Sequence, residues 1–222
     1  MVENPIWLQR AKKLPQFLEV REGYQKAGKF EFEYTDTLGI IRNLSFSYLE
    51  KYSASKQQLR TYLLKKYFKS PGSFIDKKEL LNLIDFVILD LEKNKLISDK
   101  FYSDSKSRSF VKRGYSIRKI RNYLIQKGIE NNYIQESISK IISNNSDQDF
   151  FSAIKICKKK RIGPCRSEDN RVLFYKKDIS ILARGGFDYE TSKKVMDLSK
   201  DDFENFLKLS WFLFLFFIEI MI

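Results

Sequence analysis

Histidine is absent from this chain of 222 residues. Its absence removes the commonest general base, the serine–histidine and cysteine–histidine nucleophile pairs, and histidine-ligated metal sites. Cysteine is nearly absent: Cys157 and Cys165 are the two in the chain. Two cysteines cannot build a disulfide framework, and without histidine they do not make a zinc site, so a reducing cytoplasm is the expected setting. Apolar runs of bilayer length are also missing. Residues 1–10 carry Glu3 and Pro5 where a signal peptide would be apolar, and the unbroken apolar stretch Trp211 to Ile218 is bracketed by Lys208 and Glu219. A bilayer span needs about 20 apolar residues, so no membrane association is expected. That C-terminal stretch is expected to dock on the core, or else to be a chain end that fits the fold poorly. Any enzyme of this composition would have to work with carboxylates and lysines alone, and none is expected, nor any cofactor or metal.

What is present points to a folded, basic protein. Hydrophobic residues make up 43% of the chain, adequate for a buried core. The formal net charge of +13 gives a positive field that attracts phosphate backbones, anionic surfaces or acidic partners. The duller alternative is a chain that favours lysine everywhere.

The strongest pattern is an internal echo. Ser55, Leu59, Arg60, Tyr62, Leu63, Leu64 and Lys66 recur as Ser116, Ile120, Arg121, Tyr123, Leu124, Ile125 and Lys127, and 116 − 55 and 127 − 66 both give 61. A fixed offset indicates copies of one small unit. A fainter third copy places Leu182, Gly186 and Phe187 against Leu124, Gly128 and Ile129, with 182 − 124 and 187 − 129 both giving 58.

Helical periodicity dominates. Leu38, Ile41, Tyr48, Leu49 and Tyr52 share one side of a helix ending near Lys51. Ser55 with Gln58 forms a capping-box signal ahead of Leu59, Leu63 and Leu64. Ser70-Pro71-Gly72 is a break, and Asp76 with Glu79 opens a helix whose face is Leu80, Leu83, Ile84, Val87, Ile88 and Leu91. Ser103 to Ser109 alternates serine with charge and reads equally as helix or linker. Beyond it, Ile117, Ile120 and Leu124 face inward, Gly128 stops the helix, and Tyr133, Ile134, Ile138, Ile141 and Ile142 build the next. Phe150, Phe151, Ile154 and Cys157 lead into Lys158 to Arg161; Tyr189, Val195 and Met196 suggest a closing helix. One segment departs from this period: Phe30, Phe32 and Tyr34 alternate with Lys29, Glu31 and Glu33, as in a strand.

The expected fold is therefore all-α: three tandem three-helix repeats forming an elongated, curved array, with a less regular N-terminal arm. The boundaries read as an arm over 1–35, repeats over 36–95, 96–145 and 146–198, and an apolar tail over 199–222. Units this small bury little alone and must pack on their neighbours.

The stretch from Leu96 to Ile129 resembles the RecX family of recombination regulators. The likeness rests on Leu96-Ile97-Ser98-Asp99, Tyr102, Arg108-Ser109, Arg113-Gly114-Tyr115-Ser116, Ile117-Arg118-Lys119-Ile120-Arg121, Leu124 and Lys127-Gly128-Ile129. Ser55 to Phe68 resembles the matching motif of the family's first repeat, and Leu182 to Asp188 that of the third. Tyr67 stands where the first repeat's glycine is expected. The resemblance implies a non-enzymatic, monomeric protein that binds the RecA filament in its groove. It would contact single-stranded DNA within the filament, and free DNA as a further ligand. It would restrain filament growth, strand exchange, ATP hydrolysis and the co-protease activity of the SOS response.

The residues expected to carry binding are Arg108, Lys112, Arg113, Arg118, Lys119, Arg121 and Lys127. They cluster around one turn and one helix, and Arg118 and Arg121, three apart, project from neighbouring positions. Arginine in a lysine-rich chain favours bidentate contacts to carboxylates or phosphates over a merely solvated face. For Lys158 to Arg161 the duller role, cations at a helix C-terminus, is favoured. Tyr62 and Tyr123 read as core-edge packing rather than base-stacking platforms. Two competing readings stand beside the family one. The first is a general helical DNA-binding protein acting on nucleic acid alone. The second is a nuclease built on Asp85, Asp90, Asp99 and Asp104, which ranks low because those acids sit on separate faces or at caps.

Overall fold

The computed structural model describes residues 29–68 and 76–219, with side chains described within 37–68, 76–143 and 145–209. Every regular element among the described residues is helical. The α-helices are α1 Lys29–Lys51, α2 Lys56–Tyr67, α3 Lys77–Lys93, α4 Asp99–Lys112, α5 Ile117–Gln126, α6 Asn131–Asn144, α7 Gln148–Lys160, α8 Glu168–Arg184, α9 Tyr189–Met196 and α10 Lys200–Glu219. A 3-10 turn, Gly163–Cys165, separates α7 from α8. The chain divides into two compact units, residues 1–102 and 103–222, with the division inside α4. Residues 1–28 of the arm expected over 1–35, and the break at Ser70-Pro71-Gly72, lie outside the described residues.

In the first unit α1, α2 and α3 enclose a core of Ile41, Leu59, Leu63, Leu80, Ile84, Val87 and Leu91. Each such side chain contributes about 1.5–3 kcal/mol by leaving water. The capping box at Ser55 is formed. Ser55 Oγ accepts from the Gln58 amide at 3.2 Å and Gln58 Oε1 accepts from the Ser55 amide at 3.3 Å. The amide of Lys56 donates to the Asp99 carboxylate at 2.8 Å. Ion pairs Arg60–Asp85 at 2.6 Å and Lys56–Glu92 at 3.0 Å link α2 to α3. They are half-exposed and add little beside the core.

The strand pattern at 29–34 is overturned: these residues form the first turns of α1. A lone strand has no ladder to satisfy its backbone. Extending an established helix instead adds one internal hydrogen bond for each residue fixed. Tyr67, at the glycine position of the motif, stays inside α2, so the helix runs two residues further than α5 does.

In the second unit the serine-rich segment is helical. Ser103 and Ser107 are buried, and Ser103 meets α6, its Oγ donating to the Tyr133 carbonyl at 3.4 Å. Ser137 Oγ donates to Asp104 Oδ1 at 2.6 Å and lies 2.8 Å from Ser103 Oγ, while Lys140 Nζ donates to Asp104 Oδ2 at 2.8 Å. Helix α5 starts at Ser116, whose Oγ accepts from the Lys119 amide at 3.2 Å, and the Ile117 amide donates to the Asp149 carboxylate at 2.8 Å. Helices α5 and α8 end alike. The Ile129 amide donates to the Leu124 carbonyl at 3.1 Å and the Phe187 amide to the Leu182 carbonyl at 3.3 Å, all four residues being buried. A second core joins Ala153, Ile154, Cys157, Ile162, Leu182, Val195, Met196 and Phe203. Within it Asp178, fully buried, accepts from the Gly163 amide at 2.9 Å and takes the Arg166 guanidinium in a two-pronged pair at 2.7 and 2.9 Å. Helix α10 docks through Phe203 and through Phe206, whose ring meets Phe150 edge-on at 5.2 Å. No helix among the described residues is long and apolar enough to cross a membrane.

Gly186 marks the closest approach between α5 and the α8–α9 turn. Its φ is +90°, and an added Cβ would lie 2.5 Å from Ser116 Oγ. Ser116 Oγ meanwhile donates to the Gly185 carbonyl at 2.8 Å. Gly186→Ala is therefore expected to cost at least about 1–2 kcal/mol from the left-handed backbone alone, read as a lower urea midpoint. An unchanged midpoint would contradict this close packing.

Asp104 supplies a pH prediction. Burial pushes its carboxyl up, but hydrogen bonds from Lys140 and Ser137 outweigh burial and hold it below the ordinary value. Its stabilisation is thus complete above the unfolded aspartate value of about 3.9 and is lost as pH falls through the lower folded value. Thermal melts between about pH 6 and pH 3 should show a smaller acid-induced drop for Asp104→Asn than for the parent chain. Equal drops would remove Asp104 from the acid response.

Candidate functional site

The seven cations singled out in the sequence all lie around the α4–α5 turn and along α5. Arg108, Lys112, Arg113, Arg118 and Lys119 are exposed, whereas Arg121 and Lys127 are half-buried. An aromatic cluster underlies three of them. Phe110 packs on Tyr115 at 4.9 Å and edge-on against Tyr123 at 4.6 Å. Arg113 sits over Phe110 at 5.9 Å, Lys119 over Tyr115 at 4.7 Å and Lys127 over Tyr123 at 5.3 Å. Each such contact stabilises by about 0.5–1 kcal/mol at exposed positions and limits where the cation can go.

The two motif tyrosines are engaged within the fold. Tyr123 is part of that cluster, and Tyr62 stacks on Tyr48 at 4.1 Å with Lys66 over its ring at 5.9 Å. The four acids of the nuclease reading are dispersed among structural tasks. Asp85 pairs with Arg60, Asp90 faces Arg42 at 3.7 Å, Asp99 caps α2, and Asp104 is tied to Lys140 and Ser137. Among the described residues no group of three or more histidine, cysteine, aspartate or glutamate side chains is placed to hold a metal ion.

The structure brings two of the seven cations into one concavity. A cavity of about 460 Å³ is lined by Arg113, Lys119, Lys159, Lys160 and Arg184, with Tyr115, Ile156, Ile181 and Phe187 as its apolar walls and Gly114 and Gly185 at its edge. Arg108, Lys112, Arg118, Arg121 and Lys127 do not line it. The hydrogen bond from Ser116 to Gly185 and the approach of Gly186 hold its α5 and α8 sides together. On its α7 side Gly114 presses against that helix, where an added Cβ would lie 3.0 Å from both Lys155 Cβ and the Ser152 carbonyl oxygen. Burial pushes the ammonium of half-buried Lys155 down from its ordinary value.

Lys159, Lys160 and Arg184 were not legible as one site. They stand in the last turns of α7 and α8, where a stabilising role at the helix end accounts for each cation singly. Only their convergence with Arg113 and Lys119 makes a site, and convergence is tertiary. The available signal was the position of Arg184 directly before the Gly185-Gly186 turn.

The chain matches no protein-family model. Individual relatives do match. Regulatory protein RecX of Myxococcus xanthus (strain DK1622) is 31% identical over 166 residues, covering 71% of this chain and 84% of that protein. Regulatory protein RecX of Agrobacterium fabrum (strain C58 / ATCC 33970) is 24% identical over 170 residues, covering 77% and 89%. The crystal structure of RecX from Lactobacillus salivarius superposes with a TM-score of 0.52 at 18% identity, covering 79% of this chain and 99% of that one. A second crystal structure of regulatory protein RecX gives a TM-score of 0.56 at 17% identity, covering 78% and 80%. The structural likenesses speak for the all-α fold; the first sequence match, through its identity and extent, carries the assignment. With that match, this chain belongs to the RecX family of regulatory proteins.

Proposed function

We propose that this protein is a non-enzymatic, cytoplasmic regulator that binds the RecA–DNA filament in its groove as a monomer. In this reading it restrains the recombinase, ATPase and co-protease activities of RecA. Membership of the RecX family over 71% of the chain supports the reading. The observation that carries the site is the basic face of the α4–α5 region, where Arg108, Arg118 and Lys119 are exposed and Arg121 is half-buried three residues beyond Arg118. Arginine pairs of this kind take carboxylates or phosphates bidentately, so both the recombinase and the DNA it coats offer suitable partners. Three tandem three-helix repeats, bounded at 36–95, 96–145 and 146–198, are the organisation proposed to present that face.

The decisive experiment is a paired titration against single-stranded DNA with and without RecA, at one fixed salt concentration, followed by RecA ATP hydrolysis. Affinity for the coated strand should exceed that for naked DNA, and Arg118→Glu/Arg121→Glu should weaken filament binding by about tenfold or more. Equal affinity for naked and coated DNA would overturn the filament reading in favour of a general DNA-binding protein, whose affinity falls steeply with salt. Full inhibition by the double variant would move the site elsewhere. DNA cleavage by the purified protein with Mg²⁺ would refute a non-enzymatic role.

A further inference from the structure

The cavity of about 460 Å³ in the second unit has a charge balance that the filament reading does not require. Its five cations come from four chain segments: Arg113 after α4, Lys119 in α5, Lys159 and Lys160 in α7, and Arg184 in α8. No carboxylate lines it. Among the described residues none of the five is ion-paired; Arg184 Nε donates to the Ser180 carbonyl, and Arg113 and Lys119 rest on rings. The ends of α4, α7 and α8 supply negative dipole, but each helix terminus is equivalent to only about half a charge. Five full cations therefore remain mostly uncompensated. The five side chains line a single concavity, so they can act together on one anion. A neighbouring cavity of about 320 Å³ differs in this respect: Lys158, Arg161 and Lys200 line it together with Glu204.

Shape narrows the ligand further. Nucleic acid running along a basic surface meets a stripe of cations, each on a separate phosphate. Here the cations instead ring one concavity walled by Ile156, Ile181, Phe187 and the half-buried Tyr115. All five cations are exposed, so an anion arriving from solvent meets them directly, beside an apolar surface. The volume falls within the range of small-ligand sites, about 300–1,000 Å³. We propose that this cavity is a binding site for a compact, phosphate-dense anion of the nucleoside di- and triphosphate or pyrophosphate class. The phosphates lie among Lys159, Lys160 and Arg184, with Arg113 and Lys119 closing from the α4–α5 side. The cavity shares Arg113 and Lys119 with the proposed filament-binding cations, but Lys159, Lys160 and Arg184 belong to it alone, so variants at those three test it separately.

The test is calorimetric titration of the full chain with ATP, pyrophosphate, adenosine and a short single strand lacking a terminal phosphate, at about 0.1 M salt. ATP and pyrophosphate should bind saturably and adenosine should not. Lys159→Glu and Arg184→Glu should each weaken both anions about tenfold or more, a loss expected when a charge-assisted contact is reversed. Lys65→Glu, the same charge change on an exposed residue of α2, should leave them unaltered. Lys159→Gln and Arg184→Gln remove charge without reversing it and serve if the glutamate variants melt early. Absence of saturable binding overturns the proposal, and so does binding that the cavity variants leave intact. Competition by the unphosphorylated strand as effective as that of ATP would also overturn it, because the cavity would then be one stop on a strand-binding track.

Discussion

Two part-buried backbone donors tie the starts of four helices together in pairs. The first amide of α2, on Lys56, and the first amide of α5, on Ile117, each donate at 2.8 Å to a carboxylate from a helix further along, Asp99 at the start of α4 and Asp149 at the start of α7. A helix start exposes four amides without internal partners, and burying one unsatisfied is expensive. Ser55 and Ser116, both fully buried, satisfy a later amide in each helix but leave the first. Neither α2 nor α5 has an acidic residue in its own first turn, whereas α8 has Glu168 and Asp169. Helices α2 and α5 therefore borrow a carboxylate, and the borrowing fixes where α4 and α7 begin. Asp149 reflects the tension: burial pushes its carboxyl up from the ordinary value while the Ile117 amide draws it down.

The disposition of charge follows from that arrangement. Carboxylates are consumed by the fold, in caps at Asp99, Asp149 and Asp188 and in pairs at Asp85, Asp104 and Asp178. The acids that a nuclease would need together are dispersed by these tasks. Cations are left over at helix ends, and the turns that close α4 and α8 carry several of them to one place. Within the second unit, Arg113, Lys119, Lys159, Lys160 and Arg184 line one concavity that no carboxylate lines.

Local features of this fold were legible in the sequence because local physics produces them. The 61-residue offset aligned Ser55 with Ser116, and both are N-caps with the same bond to the third amide beyond. The fainter offset aligned Gly128 with Gly186, and both adopt positive φ at the end of a helix. Failures occurred where a neighbour decides. Alternating aromatics at 30–34 satisfy a strand period, yet no partner strand exists among the described residues and α1 absorbs them. Ser103 to Ser109 reads equally as helix or linker, and the bonds of Ser103 and Asp104 to Ser137 accompany the helical outcome. Of the seven cations named in advance, Arg113 and Lys119 enter the cavity, while Lys159, Lys160 and Arg184 complete it from helices far along the chain. No spacing in one dimension reports that meeting.

Arg161 shows how far the fold accommodates cations. It ends α7 in the left-handed conformation at φ 53°, a region that costs an L-residue roughly 1–2 kcal/mol. Glycine would relieve that cost, as it does at Gly128 and Gly186. The conformation is held instead by the bond from the Ile162 amide to the Cys157 carbonyl at 3.1 Å and by burial of both side chains. A cation therefore occupies this left-handed position, directly after Lys158-Lys159-Lys160. Backbone preference alone would have placed glycine there. Arg161 instead lines a second concavity of this unit with Lys158, Lys200 and Glu204.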